Sequence, residues 1–263
     1  MSFESRCLCG ACRYRVEGTL AGVIHCNCRR CRKFHGSTFA TFAIFDAGTM
    51  QWLGGRDQVD RFMSKDLAAP RSFCHRCGSP APNSDKESGA LLFLPIAGCI
   101  ADLPTPPLEY HFYLGSRAPW FRPPEGTPHL YEVVAPNFRD PGLTELDRKT
   151  VEGRICGSCL CGDVSFEAST AAQMIDCYCP SCRYARGALY ATELIVAAEA
   201  FRWGDGEGRR IRRFERSNYR VSFCSRCGSP VPRETEDCTS IAIPAGLLDN
   251  DPGVTPTLQP HPR

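Results

Sequence analysis

The chain has 263 residues, 43 % of them hydrophobic, with 31 lysines and arginines against 29 aspartates and glutamates. That is enough apolar mass for packed cores, and so even a charge balance excludes a whole-chain attraction to nucleic acid or an anionic membrane. What remains to be explained is eighteen cysteines.

The opening MSFESRCLCGACRYRV shows no basic stretch ahead of an apolar core, and the longest apolar run, ALLFLPIAGCIA at 90–101, is too short to span a bilayer and contains Pro95. The expectation is a soluble cytoplasmic protein with no membrane partner. Thiols stay reduced in that compartment, so cysteines in groups point to metal rather than to disulfides.

In chain order, Cys7-Leu8-Cys9-Gly10 comes first, then an alternating strand from Cys12 to Val16. HCNCRRCRKFHG follows at 25–36, and TFATFAIF at 38–45 is aromatic and β-branched, as a strand should be. SFCHRCGSPAP occupies 72–82, ALLFLPI reads as a buried strand, and YHFYL at 110–114 alternates again. Glycine and proline, 23 and 21 in number, interrupt the chain too often for long helices. The fold class expected is mainly β.

The pattern then repeats. Cys159-Leu160-Cys161-Gly162 matches the first motif, Cys177, Cys179 and Cys182 match Cys26, Cys28 and Cys31, and SFCSRCGSPVP at 222–232 matches 72–82. The offsets are 152, 151 and 150, and Trp52 and Trp203 fall in step. The organisation is a tandem duplication: residues 1–135, a Pro- and charge-rich join at 136–152, and residues 153–263.

Side chains at i and i+2 of a strand share a face and can converge on one ion, whereas a disulfide between them would be strained. Cys7 and Cys9 with Cys74 and Cys77, and Cys159 and Cys161 with Cys224 and Cys227, each complete a tetrahedral set for structural zinc. Such a site stabilises a small β domain by on the order of 10 kcal/mol. Gly78 and Gly228, following the last cysteine, suit a tight knuckle turn. Cys26, Cys28 and Cys31, and likewise Cys177, Cys179 and Cys182, have no fourth cysteine. Three ligands with an open position are the pattern of a working zinc, and an all-sulfur shell favours an incoming thiol. The alternative is closure by His25, by His35 or by one of the unpaired cysteines; the counterparts of the two histidines, Asp176 and Arg186, do not repeat them.

Cys-x-Cys-Gly, then Cys-x-Cys-x-x-Cys-Arg, then Phe-Cys-x-x-Cys-Gly-Ser resembles the glutathione-dependent formaldehyde-activating enzyme family, whose domain is shared with centromere protein V. The resemblance covers both halves. It implies coiled antiparallel β-sheets (a β-tent) in each half, two structural zincs, and up to two open three-cysteine zincs. It also implies addition of a thiol, glutathione or similar, to formaldehyde or another small aldehyde, or the reverse carbon–sulfur lyase step. The family's terminal Trp segment is matched by YHFYLGSRAPWF in the first half, with Arg117 and Trp120, but not in the second. The first half is therefore the expected catalytic one, through Cys26, Cys28, Cys31 and Arg32. Arg32 and Arg183 alone occupy matching basic positions, fit either to bind a substrate carboxylate or to offset thiolate charge.

The competing reading is a non-enzymatic zinc module that binds protein or nucleic acid. Its one feature is GRRIRRFERSNYR at 208–220, and charge runs of this kind are usually solvated faces. Cys12, Cys99, Cys156 and Cys238 have no counterparts and read as small buried hydrophobes or, for Cys156, an exposed thiol.

Overall fold

The computed structural model describes residues 2–64, 70–83, 91–94, 108–130, 153–171, 173–204, 210–216 and 219–258. Repeat 1 contains β1 (Ser2–Arg6), β2 (Arg13–Cys26), α1 (Arg29–His35), β3 (Ala40–Gly54), β4 (Val59–Phe62), β5 (Arg71–Cys74), β6 (Pro80–Ala81), β7 (Leu91–Leu94), β8 (Glu109–Phe112) and β9 (His129–Leu130). Repeat 2 contains β10 (Ile155–Ser158), β11 (Ser165–Ala168), β12 (Gln173–Cys177), α2 (Pro180–Arg186), β13 (Ala191–Ala197), β14 (Phe201–Trp203), β15 (Ile211–Arg216), β16 (Tyr219–Cys224), β17 (Pro230–Val231), β18 (Arg233–Glu234), β19 (Ser240–Pro244) and β20 (Pro256–Leu258). The protein is mainly β, as the residue pattern predicts.

Strands β7-β3-β2-β8-β9 form one sheet, with β1 also on β2, and β4-β5-β6 form a small second one. Repeat 2 matches this with β18-β19-β13-β12-β20, β15-β16-β17 and a separate β10-β11-β14 sheet. The long β2 and β3 of repeat 1 are thus each divided in repeat 2. Most pairings are antiparallel, but β8 joins β2, β9 joins β8, and β20 joins β12, in parallel.

The alternation at Cys12–Val16 extends into the fourteen residues of β2, which bury Tyr14, Val16 and Leu20. YHFYL stops short as a strand, because Tyr113 turns to φ 54 and starts a 3-10 turn at Leu114–Ser116. The two α-helices among the described residues are each seven residues long and closed by a left-handed glycine, Gly36 or Gly187, whose N–H bonds back to the carbonyl of Arg32 or Arg183. The join at 136–152 and Cys99 lie outside the described residues.

The two repeats share one core. Phe73 and Phe223 meet edge to face with ring centroids 6.3 Å apart. Each ring also lies against the knuckle glycine of the other repeat. A Cβ on Gly78 (φ 73) would come within 2.6 Å of Phe223, and one on Gly228 (φ 75) within 2.4 Å of Phe73. Glycine is required there twice over, by conformation and by space. The seam is also pinned by charge: Asp249 of repeat 2 accepts from Arg29 (2.6 Å), contacts Lys33 (2.7 Å) and accepts from Ser158 (2.9 Å). Lys33, almost fully buried, also donates to the Ser158 carbonyl at 2.7 Å.

Two consequences follow for stability. Asp249→Asn, which leaves the Lys33 ammonium buried without its counter-charge, is expected to cost about 3 kcal/mol in chemical denaturation. Gly228→Ala, on the far side of the seam, is expected to cost about 2 kcal/mol or more from backbone strain and overpacking, still in one cooperative transition. Two separated transitions would show that the repeats fold independently.

Candidate metal centres

The sulfurs of Cys7, Cys9, Cys74 and Cys77 lie within 4.8 Å of one another, as do those of Cys159, Cys161, Cys224 and Cys227. Cys7 and Cys9 arise from the turn after β1, and Cys74 and Cys77 from the end of β5 and its knuckle. The Cys-x-Cys pair therefore converges through a turn and not through a strand face. The turn is closed by Gly10 N–H on the Cys7 carbonyl at 3.0 Å, with Gly10 at φ 78.

The separations test the fit. Cys7 to Cys9 is 3.4 Å and Cys9 to Cys74 is 3.7 Å, and repeat 2 gives 3.5 and 3.7 Å for Cys159–Cys161 and Cys161–Cys224. A tetrahedron with zinc–sulfur bonds of about 2.3 Å has edges of about 3.8 Å, so both sets are already close to the size a zinc ion requires. Backbone N–H groups of Cys12 and Val164 donate to Cys7 and Cys159 at 3.3 and 3.4 Å, the kind of support that thiolates receive around zinc. Ser79 and Ser229, which the ligand spacing does not single out, accept from Leu8 and Leu160 N–H at 3.0 and 3.1 Å and contact Cys77 and Cys227 at 3.3 Å. Their repetition in Cys-Gly-Ser was the available signal. Cys12, buried, sits beside this cluster in repeat 1 only, its thiol on the Gly55 carbonyl at 3.4 Å.

The other two groups are Cys26, Cys28 and Cys31, and Cys177, Cys179 and Cys182, each again within 4.8 Å. Cys26 ends β2, Cys28 is the N-cap of α1 and accepts from Cys31 N–H, and Cys31 lies in the first turn. Cys179 caps α2 in the same way. Among the described residues, no fourth histidine, cysteine or carboxylate joins either trio. His25 is held by Thr41 at 3.2 Å and Glu109 at 2.6 Å, and His35 bonds the Arg186 carbonyl at 2.7 Å. Burial holds His35 down to about 4, so it is neutral and donates from Nδ1. Both candidate closing histidines thus have other work.

The trios differ in access. Cys26, Cys28 and Cys31 are all buried and pack with Ala40 and Tyr113, with Phe42 and Phe112 alongside. Tyr113 lies within the Trp-containing segment YHFYLGSRAPWF, so that segment covers its own repeat's trio. In repeat 2 Cys179 is only half-buried and neighbouring Tyr178 is exposed. The Cys28 thiol, lowered by its contact with Cys26 but raised by Cys31 and by burial, is pushed up to about 12. Cys179 is held down to about 5, chiefly by its contact with Cys182 and with help from backbone N–H groups. The Trp segment also reaches the seam. Trp120 donates to Thr38 at 3.2 Å, and rings run from Phe121 through Phe39 and Tyr190 to Tyr178 at centroid spacings of 5.3, 5.2 and 4.8 Å.

The charged residues divide. Arg32 is buried and its Nε donates to the Asn27 carbonyl at 3.2 Å, bracing the loop between Cys26 and Cys28. Arg183, its match, is partly exposed. Arg29 and Lys33 serve the seam through Asp249. Arg71 of β5, not anticipated from the sequence because it lies forty residues away, has its guanidinium 4.0 Å from the Cys31 sulfur. At Cys182 the neighbour is the Tyr219 hydroxyl, 3.5 Å away. Among the described residues, no helix is long and apolar enough to cross a membrane.

A protein of Halomonas elongata, described as "Putative glutathione-dependent formaldehyde-activating enzyme", is 32 % identical over 127 residues, which is 46 % of this chain and 80 % of that protein. A crystal structure of a Rhodobacter sphaeroides protein aligns at 21 % identity with a TM-score of 0.33, over 40 % of this chain and 99 % of its own. The family described as glutathione-dependent formaldehyde-activating enzyme matches residues 2–116 and again 154–261. With both repeats matched and both sets of cysteine clusters assembled, the chain belongs to the glutathione-dependent formaldehyde-activating enzyme family.

Proposed function

We propose that the chain is a zinc-dependent, carbon–sulfur lyase-type enzyme that adds a thiol, glutathione or a similar one, to formaldehyde or another small aldehyde, or catalyses the reverse. The observation that carries this reading is the pair of three-sulfur clusters without a fourth protein ligand among the described residues. Zinc held by such a trio would take a substrate thiol as thiolate and polarise a carbonyl. The sulfur then forms a bond to the carbonyl carbon, the carbonyl π bond opens, and the oxygen takes up a proton to give the hydroxymethyl thioether.

Cys26, Cys28 and Cys31 are the proposed centre of that chemistry, and the four-cysteine sets the structural sites. Arg32 fixes the Cys26–Cys28 loop and, with Arg71, supplies positive charge that offsets the sulfur cluster. Tyr113, Phe42 and Phe112 pack around the sulfurs, so the charges there act in a lowered dielectric. The non-enzymatic, nucleic-acid-binding reading is less favoured because the run is not one basic face: side chains alternate along the strand, with Arg212 and Arg216 turned toward Asp60 and the Leu8 carbonyl of repeat 1.

The uncatalysed addition is itself easy, so exchange between glutathione and its formaldehyde adduct should be followed by NMR at fixed pH. Cys28→Ser is expected to reduce exchange to the buffer rate while Cys179→Ser retains catalysis. The opposite ranking would place the chemistry in repeat 2, and no catalysis by the wild type would refute the enzymatic reading. Metal removal should separate the two classes of site. A mild chelator is expected to strip the trios first with the fold intact by circular dichroism, whereas Cys74→Ser, which opens a four-cysteine site, should cost most of the stability of the chain.

A further inference from the structure

The arginine-rich run at 208–220 is not absorbed by thiol chemistry, and strand geometry divides it in two. Side chains alternate along β15. On one face Phe214 packs on the shared core, Arg212 reaches Asp60 and the His75 carbonyl of repeat 1 at 3.6 and 3.2 Å, and Arg216 reaches the Leu8 carbonyl at 3.2 Å. Those arginines face repeat 1. On the other face are Ile211, Arg213 and Glu215, with Ser222 opposite Arg213 and Arg220 opposite Glu215 on β16.

This second face is roofed by the β18–β19 hairpin and by Trp203, which leaves a cleft of about 240 Å³. Its walls are apolar at Trp203, Ile211 and Ile241, and it is charged at Arg213, Arg220 and Arg233, against Glu215 and Glu234. Among the described lining residues, three guanidinium groups face two carboxylates. Glu215 is engaged by Arg220 at 3.3 Å, with both side chains about half exposed, and Arg213 makes no ion pair among the described residues. The arrangement is a concave site with an apolar wall and a planar cation free to form a two-pronged contact, which suits a carboxylate on a flat or branched apolar body. A polyanion is a poorer match, because it needs a continuous basic face and the alternate arginines are spent at the seam.

We propose that this cleft of repeat 2 binds a small organic monocarboxylate, its acid group on Arg213 and Arg220 and its apolar body against Trp203 and Ile241. The site is separate from the cysteine trios and does not depend on what they catalyse.

The test is titration of the zinc-loaded full chain with benzoate, read by calorimetry and by tryptophan fluorescence with Trp203→Phe as the assignment control. Affinity is expected to be on the order of millimolar, as for a ligand of this size. Arg213→Ser and Arg220→Ser should each weaken it about tenfold, benzyl alcohol should bind at least about tenfold more weakly than benzoate, and Arg210→Ser should change nothing. Equal binding of benzyl alcohol, or benzoate affinity unchanged in Arg213→Ser, would overturn the proposal. So would salt-dependent binding of a short duplex that is lost alike in Arg210→Ser and Arg213→Ser, which would instead make the run a nucleic-acid face. Zinc content equal to wild type in each variant shows that the fold is retained.

Discussion

Four sulfurs brought to within 4.8 Å of one another, twice, are the constraint on which the rest of the structure depends. Thiols this close are a poor arrangement without a cation, since ionising one raises the cost of ionising the next. With a cation they cross-link the turn after β1 to the knuckle after β5, two places more than sixty residues apart in sequence. That cross-link fixes where Phe73 and Phe223 project, and those rings then meet between the repeats against the knuckle glycines. Metal geometry, turn conformation and the inter-repeat core are therefore one connected arrangement.

Duplication did not leave two equal halves. His25 bonds Thr41 in repeat 1, and its counterpart Asp176 bonds Thr192 at 2.7 Å in repeat 2. His35 lies near Phe42 with rings 6.0 Å apart, whereas the matching Arg186 forms a buried ion pair with Glu193. In the first contact the threonine is kept and only its partner changes, and in the second both members differ together, so in each the two positions still meet after a change of chemistry. Around the trios the outcome is one enclosed centre with arginine beside its sulfur and one more open centre with a tyrosine hydroxyl beside it. The Trp-containing segment accounts for much of this, since Tyr113 covers the first trio and no counterpart covers the second among the described residues.

Much of the site was legible in the sequence, because metal ligation demands particular residues at particular spacings and the repeat doubles the signal. Both four-cysteine sets and both trios assemble as the spacing of Cys7, Cys9, Cys74 and Cys77, and of Cys26, Cys28 and Cys31, implies. Long-range neighbours were not legible. Arg71 reaches Cys31, and Asp249 reaches Lys33, only because the strands and the seam bring them there. The short helix after Cys28 was also hidden, for three cysteines and a run of basic residues carry no amphipathic period, and its ends are set by a thiol N-cap and Gly36.

The central claim is that the trios hold zinc with a place left for a thiol, and zinc-edge X-ray absorption of the metal-loaded chain tests it most directly. The account predicts a mean shell below four sulfurs at rest, with lighter oxygen ligands completing it, that moves to four sulfurs when glutathione is added. A shell of four sulfurs at rest, unchanged by glutathione, would contradict it.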